Sequence, residues 1–116
     1  EKMNLLEKPF KNSNILILGV AYKKDIGDVR ESPAIGIIEN LYDRGGNVKY
    51  FDPFVVKIVV NNQGVEREES LDNLNNYDLI LVHTAHTDFE SFDFSKTEVP
   101  IFDATGSNHY KNAERI

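Results

Sequence analysis

Two short, wholly apolar segments constrain the fold of this chain more than any other feature of its sequence. Ile15–Leu18 reads Ile-Leu-Ile-Leu and is followed by Gly19, and Leu79–Val82 reads Leu-Ile-Leu-Val. Neither segment alternates apolar with polar residues, so each predicts a strand that is buried on both faces of a sheet. Such strands are typical of parallel sheets that carry helices on both sides.

A helix is predicted between these two strands. Ser32 is suited to the N-cap, and Pro33 to the first helical position, where its missing N–H costs nothing. Gly45 and Gly46 supply the end of the helix. Apolar or aromatic residues recur at helical spacing between these limits, at Ile35, Ile38, Leu41 and Tyr42.

Further short elements are predicted from the rest of the sequence. We expect a strand over 48–51, a strand or an extended turn over 55–60, a turn over 61–64, an edge strand over 65–68, a short helix over 70–75, a last strand over 99–102, and a polar, mobile tail from 107. Strands that alternate with helices indicate parallel pairing through crossovers. The predicted fold is therefore α/β, a single domain with a doubly wound, Rossmann-like parallel sheet in three αβα layers.

Composition excludes several classes of function. The chain has 116 residues and a net charge of −6, which makes nucleic acid an unsuitable partner because such binding relies on Lys and Arg. No apolar run approaches the roughly 20 residues that span a bilayer, so no membrane partner is expected. The chain has no cysteine, which excludes disulfides, thiolate metal sites and cysteine nucleophiles. That composition fits a reducing compartment, and we expect a cytoplasmic location.

Ligands of doubly wound sheets bind beyond the carboxyl ends of the strands, at the point where the strand order reverses. The two apolar strands are expected to be neighbours across that point. The loops that would surround a ligand are then 20–31, 83–89 and 103–108.

The first of these loops, Gly19–Pro33, concentrates positive charge. Lys23, Lys24 and Arg30 fall within eight positions beside a helix N-terminus, whose free N–H groups and partial charge attract phosphate. Tyr22 adds an aromatic face for stacking. A phosphate or diphosphate suits this chemistry.

A plainer interpretation of the same loop stands beside this one. Asp25, Asp28 and Glu31 balance the cations, so the loop is equally well explained as a solvated connection between strand and helix. The Gly-x-Gly-x-x-Gly fingerprint is absent, so the loop is not expected to wrap a pyrophosphate in the usual dinucleotide manner.

Two histidines follow the second apolar strand. His83 and His86, with Asp88, could bind a metal if they shared a helix face, but no second ligand cluster supports them. The favoured interpretation is polar lining of a strand end, and no metal site is assigned. Asp52-Pro53 is most simply a turn that closes a strand. No Ser/His/Asp set has the context of a known motif, so no catalytic residue is assigned.

The first loop carries a specific resemblance. The run from Leu18 to Asp25, Leu-Gly-Val-Ala-Tyr-Lys-Lys-Asp, followed by Asp-Val-Arg-Glu-Ser-Pro-Ala over 28–34, resembles the start of the C-terminal domain of nucleotide-sugar 6-dehydrogenases. Asp52-Pro53 and the stretch 79–87 are also similar to that domain. The likeness extends from about residue 12 to residue 106, and residues 21–25 lean towards the UDP-N-acetylhexosamine branch.

The resemblance implies an NAD-dependent enzyme that oxidises the C6 alcohol of a UDP-sugar to a carboxylate. It implies that Tyr22 and Lys23 bind the substrate and that Arg30 faces the cofactor NAD, which is held mainly by an N-terminal domain. The catalytic cysteine and lysine would also lie outside this chain, which is expected to be an inactive fragment. A central helical region would join the domains and form a homodimer.

The expected domain limits follow the same resemblance. Residues 1–13 would end the linking helix, 14–106 would form the UDP-binding C-terminal domain, and 107–116 a polar tail. One departure concerns an arginine that many members carry after the last strand. Here that stretch reads Asp-Ala-Thr-Gly-Ser-Asn over 103–108, without the charge-assisted contact that is typically worth ~1.5–3 kcal/mol. The alternative function is a structural module that packs against other domains and binds no ligand by itself.

Overall fold

The computed structural model describes residues 11–21, 32–84, 86 and 97–104, and the backbone of 113–115. In chain order the elements are strand β1 (Asn14–Leu18), helix α1 (Pro33–Asp43), strands β2 (Asn47–Phe51), β3 (Val59–Val60), β4 (Gln63–Gly64) and β5 (Glu66–Arg67), a 3₁₀ turn (Leu74–Asn76), and strands β6 (Leu79–Val82), β7 (Ile101–Asp103) and β8 (Ala113–Arg115). No helix in this part of the chain is long and apolar enough to cross a membrane.

Six of the strands form one sheet in the order β5-β2-β1-β6-β7-β8, and every neighbouring pair is parallel. Strands β3 and β4 form a separate antiparallel hairpin. With the hairpin set aside, the sheet strands run 3-2-1-4-5-6 in chain order, which is the order of doubly wound nucleotide-binding folds. The predicted α/β, Rossmann-like fold is confirmed.

The two apolar segments lie side by side at the centre of the sheet. Ile15 pairs with Leu79 and Leu18 with Val82, and no residue of either segment is more than 2% exposed. Their side chains alternate between two core clusters. One cluster contains Ile15 and packs under α1, and the other contains Leu18 and packs under the 3₁₀ turn. Burying each aliphatic side chain contributes about 1.5–3 kcal/mol.

Helix α1 begins and ends where the sequence predicted. The Ser32 hydroxyl oxygen accepts a hydrogen bond from Ala34 N at 3.2 Å, with Pro33 at the first helical position. Gly45 follows the helix with φ +86°, a left-handed conformation that glycine adopts without steric cost. Ala34, Ile38 and Leu41 form the buried face.

The structure changes the interpretation of two segments between β2 and β6. Only Val59 and Val60 of 55–60 are strand, and they pair with Gln63 and Gly64 across a turn whose two asparagines both have positive φ. The short helix predicted over 70–75 is wrong, because α-helical structure is replaced by a single 3₁₀ turn at Leu74–Asn76. Serine and asparagine side chains here compete with helical hydrogen bonds for the backbone.

The carboxyl-terminal strands also differ from expectation. The strand predicted over 99–102 is β7 at Ile101–Asp103, and it is not the last. Ala113–Arg115, inside the predicted polar tail, forms β8 and pairs with β7. This three-residue edge strand has no apolar alternation, so only its backbone pairing reveals it. The predicted end of the linking helix, residues 1–13, lies mostly outside the described residues.

Candidate functional site

Three strands end together at the point where the strand order reverses. Gly19 N donates to Phe51 O at 2.9 Å, which joins the end of β1 to the end of β2. His83 N and Thr84 N both donate to Leu18 O, at 2.9 and 3.2 Å, which joins the end of β6 to the end of β1. The segments leaving these strands therefore surround one place at the carboxyl edge of the sheet, as predicted for a ligand site.

Gly19 allows the segments after β1 and β6 to meet. Its φ is +82°, and a Cβ atom at this position would lie 2.3 Å from Thr84 O and 2.6 Å from Thr84 Cβ. Both atoms are too close for any side chain. Only glycine combines the left-handed backbone with this approach.

Asp52 is the centre of the site. Its side chain is fully buried, and its Oδ2 atom accepts hydrogen bonds from Val20 N at 2.8 Å and Ala21 N at 3.2 Å. Its Oδ1 atom accepts one from Phe54 N at 2.8 Å. The carboxylate thus accepts hydrogen bonds from two backbone N–H groups at the end of β1. In many folds of this class, such groups bind phosphate.

His86 completes the surroundings of this carboxylate. Its Nε2 atom lies 2.8 Å from Asp52 Oδ2, both side chains are fully buried, and the Phe54 ring packs on the imidazole at 4.9 Å between centroids. Burial by itself raises the pKa of Asp52. The hydrogen bonds from His86 and from the N–H groups of Phe54 and Val20 outweigh burial, so the pKa lies below its ordinary value. Asp52 is therefore an anion at neutral pH.

Two hydroxyl groups bind the carbonyl side of the same backbone. Ser32 Oγ donates to Val20 O at 2.8 Å, and Thr84 Oγ1 donates to Ala21 O at 2.7 Å. Together with Asp52, these side chains satisfy both N–H and both C=O groups of Val20 and Ala21. The chain is thus held firmly at the last described residue before the cationic part of the loop.

His83 lines the same edge and is partly buried. Its Nδ1 atom lies 2.9 Å from Thr84 Oγ1. Since the Thr84 hydroxyl donates its proton to Ala21 O, Nδ1 must be the donor to Thr84. Burial lowers the pKa of His83 and outweighs the Gly19 backbone hydrogen bond and the Asp52 charge, both of which raise it. His83 is therefore neutral at pH 7.

The sequence predicts this edge as the ligand site, but it predicts only a turn at Asp52. The signal for the role of Asp52 is a carboxylate at the end of a strand beside β1. Tyr22, Lys23 and Arg30 lie outside the described residues. So does Asp88, the third member of the metal alternative. His86 is engaged with Asp52, and no group of three His, Asp or Glu among the described residues could hold a metal ion.

The start of α1 differs from the simple anion site that the sequence suggested. Pro33 has no N–H, Ala34 N is bonded to Ser32 Oγ, and Ile35 N approaches Ser32 O at 3.4 Å. The first turn therefore offers no free N–H group at these positions. An anion at this edge would be held by side chains, with the helix dipole as a weaker contribution.

The described residues do not fit NAD. A dinucleotide fold presents the N–H groups after its first strand to the pyrophosphate, whereas here Val20 N and Ala21 N are bonded to Asp52. The Asp52 carboxylate would also repel a pyrophosphate placed against it. This arrangement agrees with the absence of the glycine fingerprint from the sequence.

A cavity of about 530 Å³ lies at the opposite end of the sheet. Its lining includes Asn14, Asn47 and Tyr77, which mark the amino ends of β1, β2 and β6. Doubly wound sheets bind their ligands at the other edge, so this cavity is not the candidate site.

Comparisons with known proteins show the family to which this chain belongs. Residues 16–107 match the model of the UDP-glucose/GDP-mannose dehydrogenase family, UDP binding domain. The chain is 38% identical over 99 residues to the UDP-glucose 6-dehydrogenase of Rickettsia bellii strain RML369-C, covering 79% of this chain and 22% of that protein. It is 30% identical over 95 residues to the UDP-N-acetyl-D-mannosamine dehydrogenase of Methanococcus aeolicus, covering 78% and 20%.

Solved structures give the same result for the fold. The NDP-N-acetyl-D-galactosaminuronic acid dehydrogenase from Methanosarcina mazei Go1 superposes with a TM-score of 0.68 at 28% identity, over 84% of this chain and 22% of that one. A UDP-glucose dehydrogenase from Pyrobaculum islandicum superposes with a TM-score of 0.75 at 22% identity, over 92% of this chain and 25% of that one. This match shows a likeness of fold. This chain spans about a fifth of the length of its curated relatives. It belongs to the UDP-glucose/GDP-mannose dehydrogenase family, as the family's UDP-binding domain.

Proposed function

We propose that this chain binds the uridine diphosphate part of a UDP-sugar at the carboxyl edge of β1 and β6. The observation that carries the proposal is the location of the Asp52-centred site at the reversal of strand order, inside the segment matched by the UDP-binding family model. The two curated relatives named above differ in the sugar that their names give and share UDP. The proposal therefore concerns the nucleotide half of the substrate.

Within this site, Tyr22 and Lys23 contact the nucleotide diphosphate. The described geometry supports side-chain rather than backbone binding, because the nearby N–H groups of Val20, Ala21 and Ala34 are already bonded. A lysine ammonium supplies a point charge for phosphate, and a tyrosine ring a stacking surface.

The whole enzyme would oxidise the C6 alcohol of the UDP-sugar to a carboxylate with NAD. NAD would be bound by an N-terminal domain, with Arg30 facing it across the cleft, and a central region would form a homodimer. Residues 14–106 form the UDP-binding unit in this scheme. The catalytic groups would come from the other domains, so the chain alone should bind UDP without turnover.

Isothermal titration calorimetry of the 116-residue chain with UDP tests this proposal. Wild type should bind UDP weakly, and Lys23→Ala should weaken binding by about tenfold or more, because it removes one charge-assisted phosphate contact worth roughly 1.5–3 kcal/mol. Lys11→Ala is the matched control. Lys11 is an exposed lysine that precedes β1, at the opposite edge of the sheet, and its removal should leave UDP affinity unchanged.

Two outcomes would contradict this assignment. If the folded wild-type chain binds no UDP, the chain is not a self-contained nucleotide site, and the structural packing module is the better explanation. If wild type binds but Lys23→Ala binds equally well, the role of Lys23 is wrong while UDP binding stands.

A further inference from the structure

The backbone that leads into the cationic loop is fixed by side chains from three separate parts of the fold. Asp52 lies after β2, Ser32 caps α1, and Thr84 follows β6. Their polar atoms bind all four polar backbone groups of Val20 and Ala21, over distances of 2.7 to 3.2 Å. This segment has no regular secondary structure, and yet its hydrogen bonding is complete.

The members of this arrangement are buried, so their contacts are not exchanged for water. Asp52 is 0% exposed, and Ser32 and Thr84 are each 6% exposed. Val20 and Ala21 are 0% exposed as well. A buried hydrogen bond that loses one partner leaves the other polar group unsatisfied, so each contact opposes movement of the segment.

Asp52 also connects the segment to its surroundings in two further directions. Its Oδ2 atom contacts His86, and its backbone oxygen accepts a hydrogen bond from Arg67 Nη2 at 3.0 Å. The residue thus links the segment after β1 to the ends of β5 and β6. Its side chain joins the segments that follow β1 and β6, and its backbone oxygen adds the contact to β5.

We propose that Asp52 is a positioning residue for nucleotide binding, acting with Thr84 and Ser32. It fixes Val20 and Ala21, which lead directly in the chain to Tyr22 and Lys23, the residues that the proposed function assigns to the diphosphate. The inference rests on the proposed function. Pre-organisation of this kind reduces the ordering cost of binding, and a displacement of about 1 Å can cost up to 100-fold.

Asp52→Asn tests the inference in the full chain, with UDP as the probe. The amide has no charge and only one acceptor oxygen, so it cannot accept both from Val20 N and Ala21 N on one side and from Phe54 N on the other, and UDP should bind about tenfold more weakly. Asp78→Asn is the matched control. The Asp78 Oδ2 atom also accepts a backbone N–H bond at 2.8 Å, from Asn14 N, but at the amino edge of β1. Its UDP affinity should stay within about twofold of wild type.

A double-mutant cycle separates positioning from a loss of stability. If Asp52 acts through Lys23, Asp52→Asn should weaken UDP binding in the wild-type background and have less than about a twofold effect in the Lys23→Ala background. Equal effects in both backgrounds would overturn the inference. So would a folded Asp52→Asn variant with wild-type affinity.

Thr84→Val keeps the test decisive if Asp52→Asn does not fold. The substitution removes the hydrogen bond to Ala21 O and keeps a similar side-chain volume. It should weaken UDP binding in the wild-type background and have a smaller effect in the Lys23→Ala background. A folded Thr84→Val chain with unchanged affinity would contradict the inference in that case. If wild type itself binds no UDP, the proposed function fails first, a result distinct from binding that is insensitive to Asp52 and Thr84.

Discussion

At the scale of single residues, Asp52 decides which backbone groups of the site are already hydrogen-bonded. An internal carboxylate takes the backbone N–H groups at the end of β1, so the strand end is neutralised from within the protein. If the proposed function is right, we expect Lys23 to supply positive charge for the diphosphate. The described sheet edge would then serve as a fixed base for the loop between Ala21 and Ser32.

Two glycines provide a matched test of the close approach at the site. Gly19→Ala should destabilise the chain by about 2–4 kcal/mol, because it combines a left-handed backbone with a Cβ atom 2.3 Å from Thr84 O. Gly36→Ala, on the exposed side of α1 with no atom within 4 Å of its Cβ position, should stabilise it by about 0.5–1 kcal/mol. Urea unfolding followed by circular dichroism measures both. A Gly19→Ala chain as stable as wild type would show that Gly19 is not constrained as described.

The neutral state of His83 predicts a pH dependence. Its pKa in the folded chain lies below the ordinary value of 6.5, so below that pH the unfolded chain takes up the proton first. The stability associated with His83 is thus fully present above pH 6.5 and decreases as the pH falls below it. NMR titration of the imidazole should give a lower midpoint in the folded chain than in urea. A folded midpoint above 6.5 would contradict the burial described for His83.

At the scale of elements, the cap of α1 serves two purposes. Ser32 Oγ accepts from Ala34 N and donates to Val20 O, so it begins the helix and also fastens the segment after β1. The position of α1 along its axis is therefore coupled to the ligand edge. A helix that slid by a residue would break the bond from Ser32 Oγ to Val20 O.

Removing the hydroxyl of Ser32 should be more costly than removing a simple turn contact. Ser32→Ala should lower the free energy of unfolding by about 2 kcal/mol, because it removes a helix cap and leaves Val20 O buried without that partner. Ser70→Ala is the control, since Ser70 Oγ accepts from Asp72 N at the same 3.2 Å but in a surface turn. It should cost no more than about 0.5 kcal/mol. Equal losses in thermal unfolding would contradict the dual role of Ser32.

At the scale of the whole molecule, the fold could be predicted because its signals are local. The apolar segments of β1 and β6 and the cap of α1 each specify an element from a few adjacent residues. The sequence pattern does not predict β8 or decide between a strand and a turn over 55–60, because these short strands depend on pairing rather than on pattern. The predicted strand order indicates the edge where the site lies, whereas it does not indicate the role of Asp52. Its partners Val20 and His86 are more than thirty positions away in the sequence.

The central pairing of β1 with β6 also has a consequence for folding during synthesis on the ribosome. β1 can join β2 early, but its other edge finds a partner only after synthesis has reached Val82. During that interval a nascent chain presents the run Ile15–Leu18 with one row of backbone groups unpaired, which is the signature of an aggregation-prone strand. The same apolar continuity that stabilises the centre of the finished sheet therefore exposes an aggregation-prone strand in the unfinished chain.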